Sequence, residues 1–133
     1  MYIRTRDIED KVGTCLRIGI APHPAGAMVT LERRDRMDRP AAVLSLYGTE
    51  ILGAFLMAAR LSAPFPMPDE TVAGPFSTRF RLDCGPPVRV MIEQDEGLPL
   101  PIEELLWDRL YAELCLVTAH GRELARQVGG SLH

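Results

Sequence analysis

Residues 76 to 94, FSTRFRLDCGPPVRVMIEQ, alternate with a period of two on both sides of a glycine-proline turn. Phe76, Thr78, Phe80 and Leu82 fall on one side and Ser77, Arg79, Arg81 and Asp83 on the other. After Cys84, Gly85, Pro86 and Pro87, the chain returns with Val88, Val90 and Ile92 against Arg89, Met91 and Glu93. This pattern predicts an antiparallel hairpin with one apolar face and one wet face. An isolated hairpin is marginal in water, so this one needs further strands and a layer covering its apolar side.

The chain supplies both. TCLRIGI places Leu16, Ile18 and Ile20 on one face against Arg17 and Gly19, and AMVTLERR continues through Val29 and Leu31. The charged connection DRMDRP leads to AVLSLY, a third strand. Residues 41 to 62, AAVLSLYGTEILGAFLMAARLS, are apolar enough to suggest a membrane span, but Glu50 sits mid-run, where charge is costly in lipid. The alternation also ends at Tyr47, and Gly48-Thr49 carry turn and helix-start chemistry, so a strand hands over to a helix with Thr49 as N-cap. The proline-rich stretch from Pro64 to Pro75 reads as a long loop, and residues 1 to 13 as a polar, ambiguous lead-in.

Pro101 and Glu103-Glu104 suit the first turns of a long final helix of about 27 residues, roughly 40 Å. It carries one apolar line through Ile102, Leu106, Leu110, Leu114, Val117, Leu124 and Val128, and another through Trp107, Tyr111 and Cys115. Two apolar sides require two partners. The first helix, which contains Gly53, or a second copy of the chain can provide the second. The expectation is a single α+β domain over 1–133. It has an antiparallel sheet of about five strands in the order β-β-β-α-β-β-α, with both helices on one face. A homodimer would form through the helices, with Ile51, Phe55, Trp107 and Tyr111 as interface candidates.

Chemistry-bearing motifs are sparse. GxSxG, GxGxxG and GxxxxGK[ST] do not occur, and Cys15, Cys84 and Cys115 lack zinc-ligand spacing. His23, in APHPAG, has no companion motif, and His120 beside Gly121 marks a helix irregularity or a polar contact. Asp83 next to Cys84 opposes a thiolate there. No catalytic residue, metal or cofactor is therefore expected, and the reading is of a non-catalytic binding module. With no apolar leader visible in MYIRTRDIED, the expected location is the cytoplasm, with no membrane partner.

The net charge of −3 argues against generic polyanion binding, yet Lys11 is the only lysine among 15 Lys and Arg residues. Arginine forks favour bidentate anion contacts. Arg79, Arg81 and Arg89 on the hairpin's wet face, joined by Arg17, are the candidate ligand-binding residues. A protein partner and a single-stranded nucleic acid are the ligands to consider.

The segment AMVTLERRDRMDRPAAVLSLYGTEIL, about residues 28 to 52, resembles the strand, charged turn, strand and helix start of the Whirly-like single-stranded-DNA-binding transcriptional coactivators. That resemblance implies dimerisation through helices and DNA binding over a curved sheet. The order strands, helix, hairpin, helix is also similar to that of small acidic dimeric chaperones of specialised secretion systems, which implies a polypeptide client.

Overall fold

The computed structural model describes residues 4–24 and 26–130. The elements run β1 (Arg4–Glu9), β2 (Cys15–His23), β3 (Gly26–Arg33), β4 (Ala41–Ser45) and α1 (Leu46–Ser62), then β5 (Glu70–Val72), β6 (Thr78–Asp83), β7 (Arg89–Gln94) and β8 (Leu100–Glu103). A 3-10 turn, Glu104–Leu106, leads into α2 (Trp107–Gly130). Four antiparallel strands followed by a helix thus occur twice. The strands form two four-stranded sheets in simple sequence order, β1-β2-β3-β4 and β5-β6-β7-β8. The α+β class holds, while the expected single sheet of about five strands is replaced by two sheets.

Three strands account for the difference. β1 pairs with β2 from Arg4 opposite Ile20 to Glu9 opposite Cys15, but only Ile8 of this polar segment is buried. Its apolar alternation is broken by arginines at the other inward positions. The β1–β2 turn is held by Asp10, whose Oδ1 accepts from the backbone N–H groups of Val12 and Thr14, each at 2.9 Å. β5, three residues long, lies within the segment expected to be loop. β8 contains Pro101, which a helix start and an edge strand both tolerate, because neither needs its missing N–H; here Pro101 pairs with Met91 at the sheet edge. α2 consequently begins at Trp107 and is about 36 Å long.

α1 also starts earlier than Thr49. Ser45 is its N-cap, its Oγ accepting from Gly48 N–H at 3.0 Å. Thr49 is fully buried inside the first turns and donates its hydroxyl to the Ser45 carbonyl at 2.8 Å.

One apolar core gathers the inward residues of both sheets and both helices, among them Leu16, Ile18, Leu31, Leu44, Leu52, Phe80, Ile92 and Leu110. α1 packs against β3 and β4 of the first sheet and β5 and β6 of the second, whereas α2 lies across β2 and β3 and against α1. Two polar struts join the sheets. The Gln94 side chain accepts from Val43 N–H at 3.1 Å and donates to the Val43 carbonyl at 2.6 Å, extending the hydrogen-bonding of β4 toward β7. Arg33, 4% exposed, reaches from β3 to the Pro101 carbonyl and the Glu103 carboxylate of β8.

α2 runs without a break through His120-Gly121. Gly121 is a point of close approach, not an irregularity: a Cβ there would lie 2.3 Å from Leu46 Cδ2 and 3.1 Å from Ile20 Cδ1. Among the described residues no helix is long and apolar enough to cross a membrane.

Candidate functional site

Strand register decides what the arginines can do. Arg79 stands opposite Glu93, Arg81 opposite Met91 and Asp83 opposite Arg89, so Arg79, Arg81 and Arg89 share the outer face of the second sheet. Arg17 belongs to the first sheet, opposite Asp7, and does not join them. Each of the four guanidinia is held by a carboxylate. Arg79 donates to Glu93 from Nε at 3.0 Å and Nη2 at 2.8 Å, and Arg81 reaches the same carboxylate at 3.4 Å. Asp69 lies 3.8 Å from Arg79. Arg89 donates to Asp83 at 2.8 Å, and Arg17 makes a two-pronged contact with Asp7 at 2.8 and 3.0 Å.

The titration behaviour follows from these contacts. Burial pushes the Glu93 carboxyl up, but hydrogen bonds from Arg79 and Arg81 outweigh it and hold the group below its ordinary range. The Arg89 hydrogen bond lowers Asp83, and the Arg17 hydrogen bond lowers Asp7. On the second sheet, three guanidinia face Asp69, Asp83 and Glu93 and gain no net positive charge. Such a face suits a partner that carries both signs of charge better than it suits a polyanion.

The four interface candidates divide. Phe55 and Trp107 are buried within the protomer, at 3% and 1% exposure, and the Trp107 indole N–H donates to the Ile102 carbonyl at 2.9 Å. They are core side chains and cannot be the surface of an interface. Ile51 and Tyr111 are half-buried. Tyr111 fills the space beside Gly53, where a Cβ would sit 3.7 Å from its ring.

What α1 leaves open is a different set of residues on the same helix. Glu50 and Arg60 are its only charged residues. Leu52, Phe55, Leu56 and Ala59 enter the core. On the opposite side Tyr47, Ala54, Met57 and Leu61 follow at helical spacing, and Phe65 continues the line just beyond the helix. Tyr47, Leu61 and Phe65 are 63%, 86% and 73% exposed. Glu50 pairs with Arg122 of α2, and Arg60 with Asp108 at 3.1 Å. The sequence-based interface candidates on this helix are Ile51 and Phe55; the packing of Leu52, Phe55, Leu56 and Ala59 into the core determines which side turns outward.

Elsewhere, catalytic geometry is thin. The half-buried His23 ring packs edge-on against Phe76, with centroids 5.3 Å apart. Burial and the neighbouring Asp7 and Glu9 carboxylates push the Cys15 thiol up, away from a reactive thiolate. Among the described residues, His, Cys, Asp and Glu form no group able to hold a metal ion. In comparisons with known proteins, no family model matches the chain and no curated protein matches it.

Proposed function

We propose that this protein is a non-catalytic interaction module that pairs with a second copy of itself through the outward face of α1. The observation that carries this reading is the exposed line Tyr47, Ala54, Met57, Leu61 and Phe65 on a helix whose other side is already buried. Contiguous apolar exposure of this kind marks an interaction surface.

The line is also self-complementary. Tyr47 and Leu61 are each seven residues from Ala54, so an antiparallel α1 pair with its two-fold axis near Ala54 sets Tyr47 of one copy against Leu61 of the other, twice. The small Ala54 side chain permits close approach at the crossing. Within the dimer, the outer face of the second sheet stays free for a polypeptide of mixed charge.

Sedimentation equilibrium at micromolar concentration tests this. The expected mass is about 30 kDa, twice the chain's 14.8 kDa, falling to the monomer value in Leu61→Glu with helicity unchanged. A wild-type mass of one chain overturns the proposal, and so does a dimer that survives both Leu61→Glu and Ala54→Arg.

A further inference from the structure

α1 and α2 run antiparallel and are tied at two levels, by Glu50 with Arg122 and by Arg60 with Asp108 at 3.1 Å. Asp108 and Arg122 each lie seven residues from Cys115, and Glu50 and Arg60 each lie five from Phe55, so Cys115 stands level with the Ala54–Phe55 step of α1. The space between the helices agrees with that level: a groove of about 430 Å³ is lined by Ala54 and Met57 on one side and by Tyr111 and Cys115 on the other. The outward face of α1 therefore continues across this groove onto α2.

Beyond the groove, Asp108, Ala112, Cys115, Ala119 and Arg122 follow on α2 at spacings of four and three, and all five are exposed. The core takes the other side of the helix through Leu110, Leu114 and Val117. The exposed stripe is short-chained in its middle and oppositely charged at its ends. An antiparallel α2 pair centred on Cys115 sets Asp108 of one copy against Arg122 of the other, twice. Both side chains are more than half exposed beside their α1 partners, so each such contact extends an existing pair into a row of alternating charge: Glu50, Arg122, the partner's Asp108, the partner's Arg60. Alternation of this kind fixes register more than it adds affinity.

We infer that, given the α1 pairing proposed above, this face of α2 is the second half of the contact and docks on the same face of the second copy. Because Cys115 is level with Ala54, a single two-fold axis lying across the helices passes through both the α1 crossing at Ala54 and the α2 crossing at Cys115. Each helix then stacks on its own copy, and the two grooves face each other. Ala112 and Ala119 put no bulk between the α2 helices. With helix axes about 10 Å apart and Cα atoms about 2.3 Å from each axis, the two Cys115 Cα atoms stand about 5 Å apart at the crossing, inside the span of about 4.4–6.8 Å that a disulfide bridges.

Disulfide trapping of the full chain tests the arrangement. Diamide takes two electrons and two protons from a pair of thiols, its N=N bond becoming a hydrazine as the S–S bond forms. It is expected to convert most of the wild-type chain to a covalent dimer whose tryptic linkage joins Cys115 to Cys115. The yield should not depend on protein concentration above the dimer's dissociation constant, and Cys115→Ser should abolish that linkage. Ala119→Arg, an exposed change to another good helix former, should weaken the dimer at least about tenfold by sedimentation equilibrium in reducing buffer. In a dimer that Leu61→Glu dissociates, absence of trapping at Cys115, or indifference to Ala119→Arg, overturns this inference and leaves the α1 pairing standing. Trapping that grows in proportion to concentration is random collision and overturns it as well. A wild-type chain of monomer mass overturns both.

Discussion

Arg33→Met removes the strut between the two sheets while keeping an apolar stem of similar length. In the wild-type chain the Arg33 guanidinium donates to Asp35 from Nε at 2.8 Å and Nη2 at 2.7 Å, and from Nη1 to Glu103 at 2.7 Å and the Pro101 carbonyl at 2.8 Å. Removing one member of a buried ion pair costs about 3–5 kcal/mol. Asp35 and Glu103 retain 21% and 28% side-chain exposure, so water can rehydrate them in part. The expected loss is therefore near the lower end, about 3 kcal/mol. With a urea dependence of about 2 kcal/mol per molar, the midpoint should fall by about 1.5 M. Fluorescence of Trp107, the only tryptophan and 1% exposed, reports the transition. Acid gives a second reading of the same contact. Hydrogen bonding to Arg33 holds the Asp35 carboxyl at about 2 against an ordinary 3.8. A lowered carboxyl stabilises the fold fully above pH 3.8 and loses that contribution as pH falls toward 2. The full shift corresponds to about 2.4 kcal/mol, which solvent screening of a partly exposed carboxylate reduces to about 1–2 kcal/mol. The stability gap between wild type and Arg33→Met should narrow by that amount between pH 5 and pH 2. A gap below 1 kcal/mol at pH 5, or one that does not change with pH, would refute the assignment of Arg33 as the strut.

Glu93→Gln should release Arg79 and Arg81 from their shared carboxylate and leave the second sheet's outer face with a positive excess. Anisotropy of a labelled single-stranded oligonucleotide is expected to show little binding by the wild type and salt-sensitive binding by the variant; strong wild-type binding would show that the ion pairs do not mask the face. Gly53→Ala should stabilise α1 by about 0.5–1 kcal/mol, because the new methyl meets the Tyr111 ring at an ordinary 3.7 Å and a helix prefers alanine to glycine. Gly121→Val should destabilise by about 1–3 kcal/mol, since even a Cβ there collides with Leu46 and crowds Ile20; thermal melts of the two variants should shift in opposite directions.

Elements whose side chains repeat the pattern of one buried face could be read directly. β6 alternates cleanly, β7 does so except that Met91 on its outer face is buried as well, and β2 and β3 carry aliphatic residues at successive inward positions. β1 could not be read this way because Arg4 and Arg6 stand where its inward apolar residues belong, leaving Ile8 as the single buried position. β8 was obscured by Pro101, whose missing N–H is as harmless on an edge strand as in a first helical turn. The same limits apply to the surfaces. Alternation was enough to put Arg79, Arg81 and Arg89 on one face, but only the register of β6 on β7 sets Glu93 opposite Arg79 and Arg89 opposite Asp83. Arg33 looked like one charge among many in ERRDRMDR, and its burial depends on β8, a strand 67 residues further on that the sequence presents as helix.

The repeated order of four strands and a helix conceals an unequal use of the two helices, and this inequality locates the open surfaces. α1 is wedged between the sheets and α2, touching β3 and β4, β5 and β6, and α2 itself, so Leu52, Phe55, Leu56 and Ala59 are occupied, Ala54 and Met57 flank a groove against α2, and Tyr47, Leu61 and Phe65 stay exposed. α2 follows the second sheet in the chain yet packs on β2 and β3 of the first. It covers the centre of that sheet and reaches the edge strand β1 through Arg6–Glu113 and Arg109–Glu9 contacts, with a groove between β1 and the helix. The second sheet, by contrast, presents a face whose charges are already paired. A ligand arriving there must compete with intramolecular partners at 2.8–3.0 Å for Arg79 and Arg89. On the α1 line a partner instead gains contacts that no part of the described chain makes, the burial of Tyr47, Leu61 and Phe65. Binding energy is therefore more readily available on the α1 line than on the arginine face.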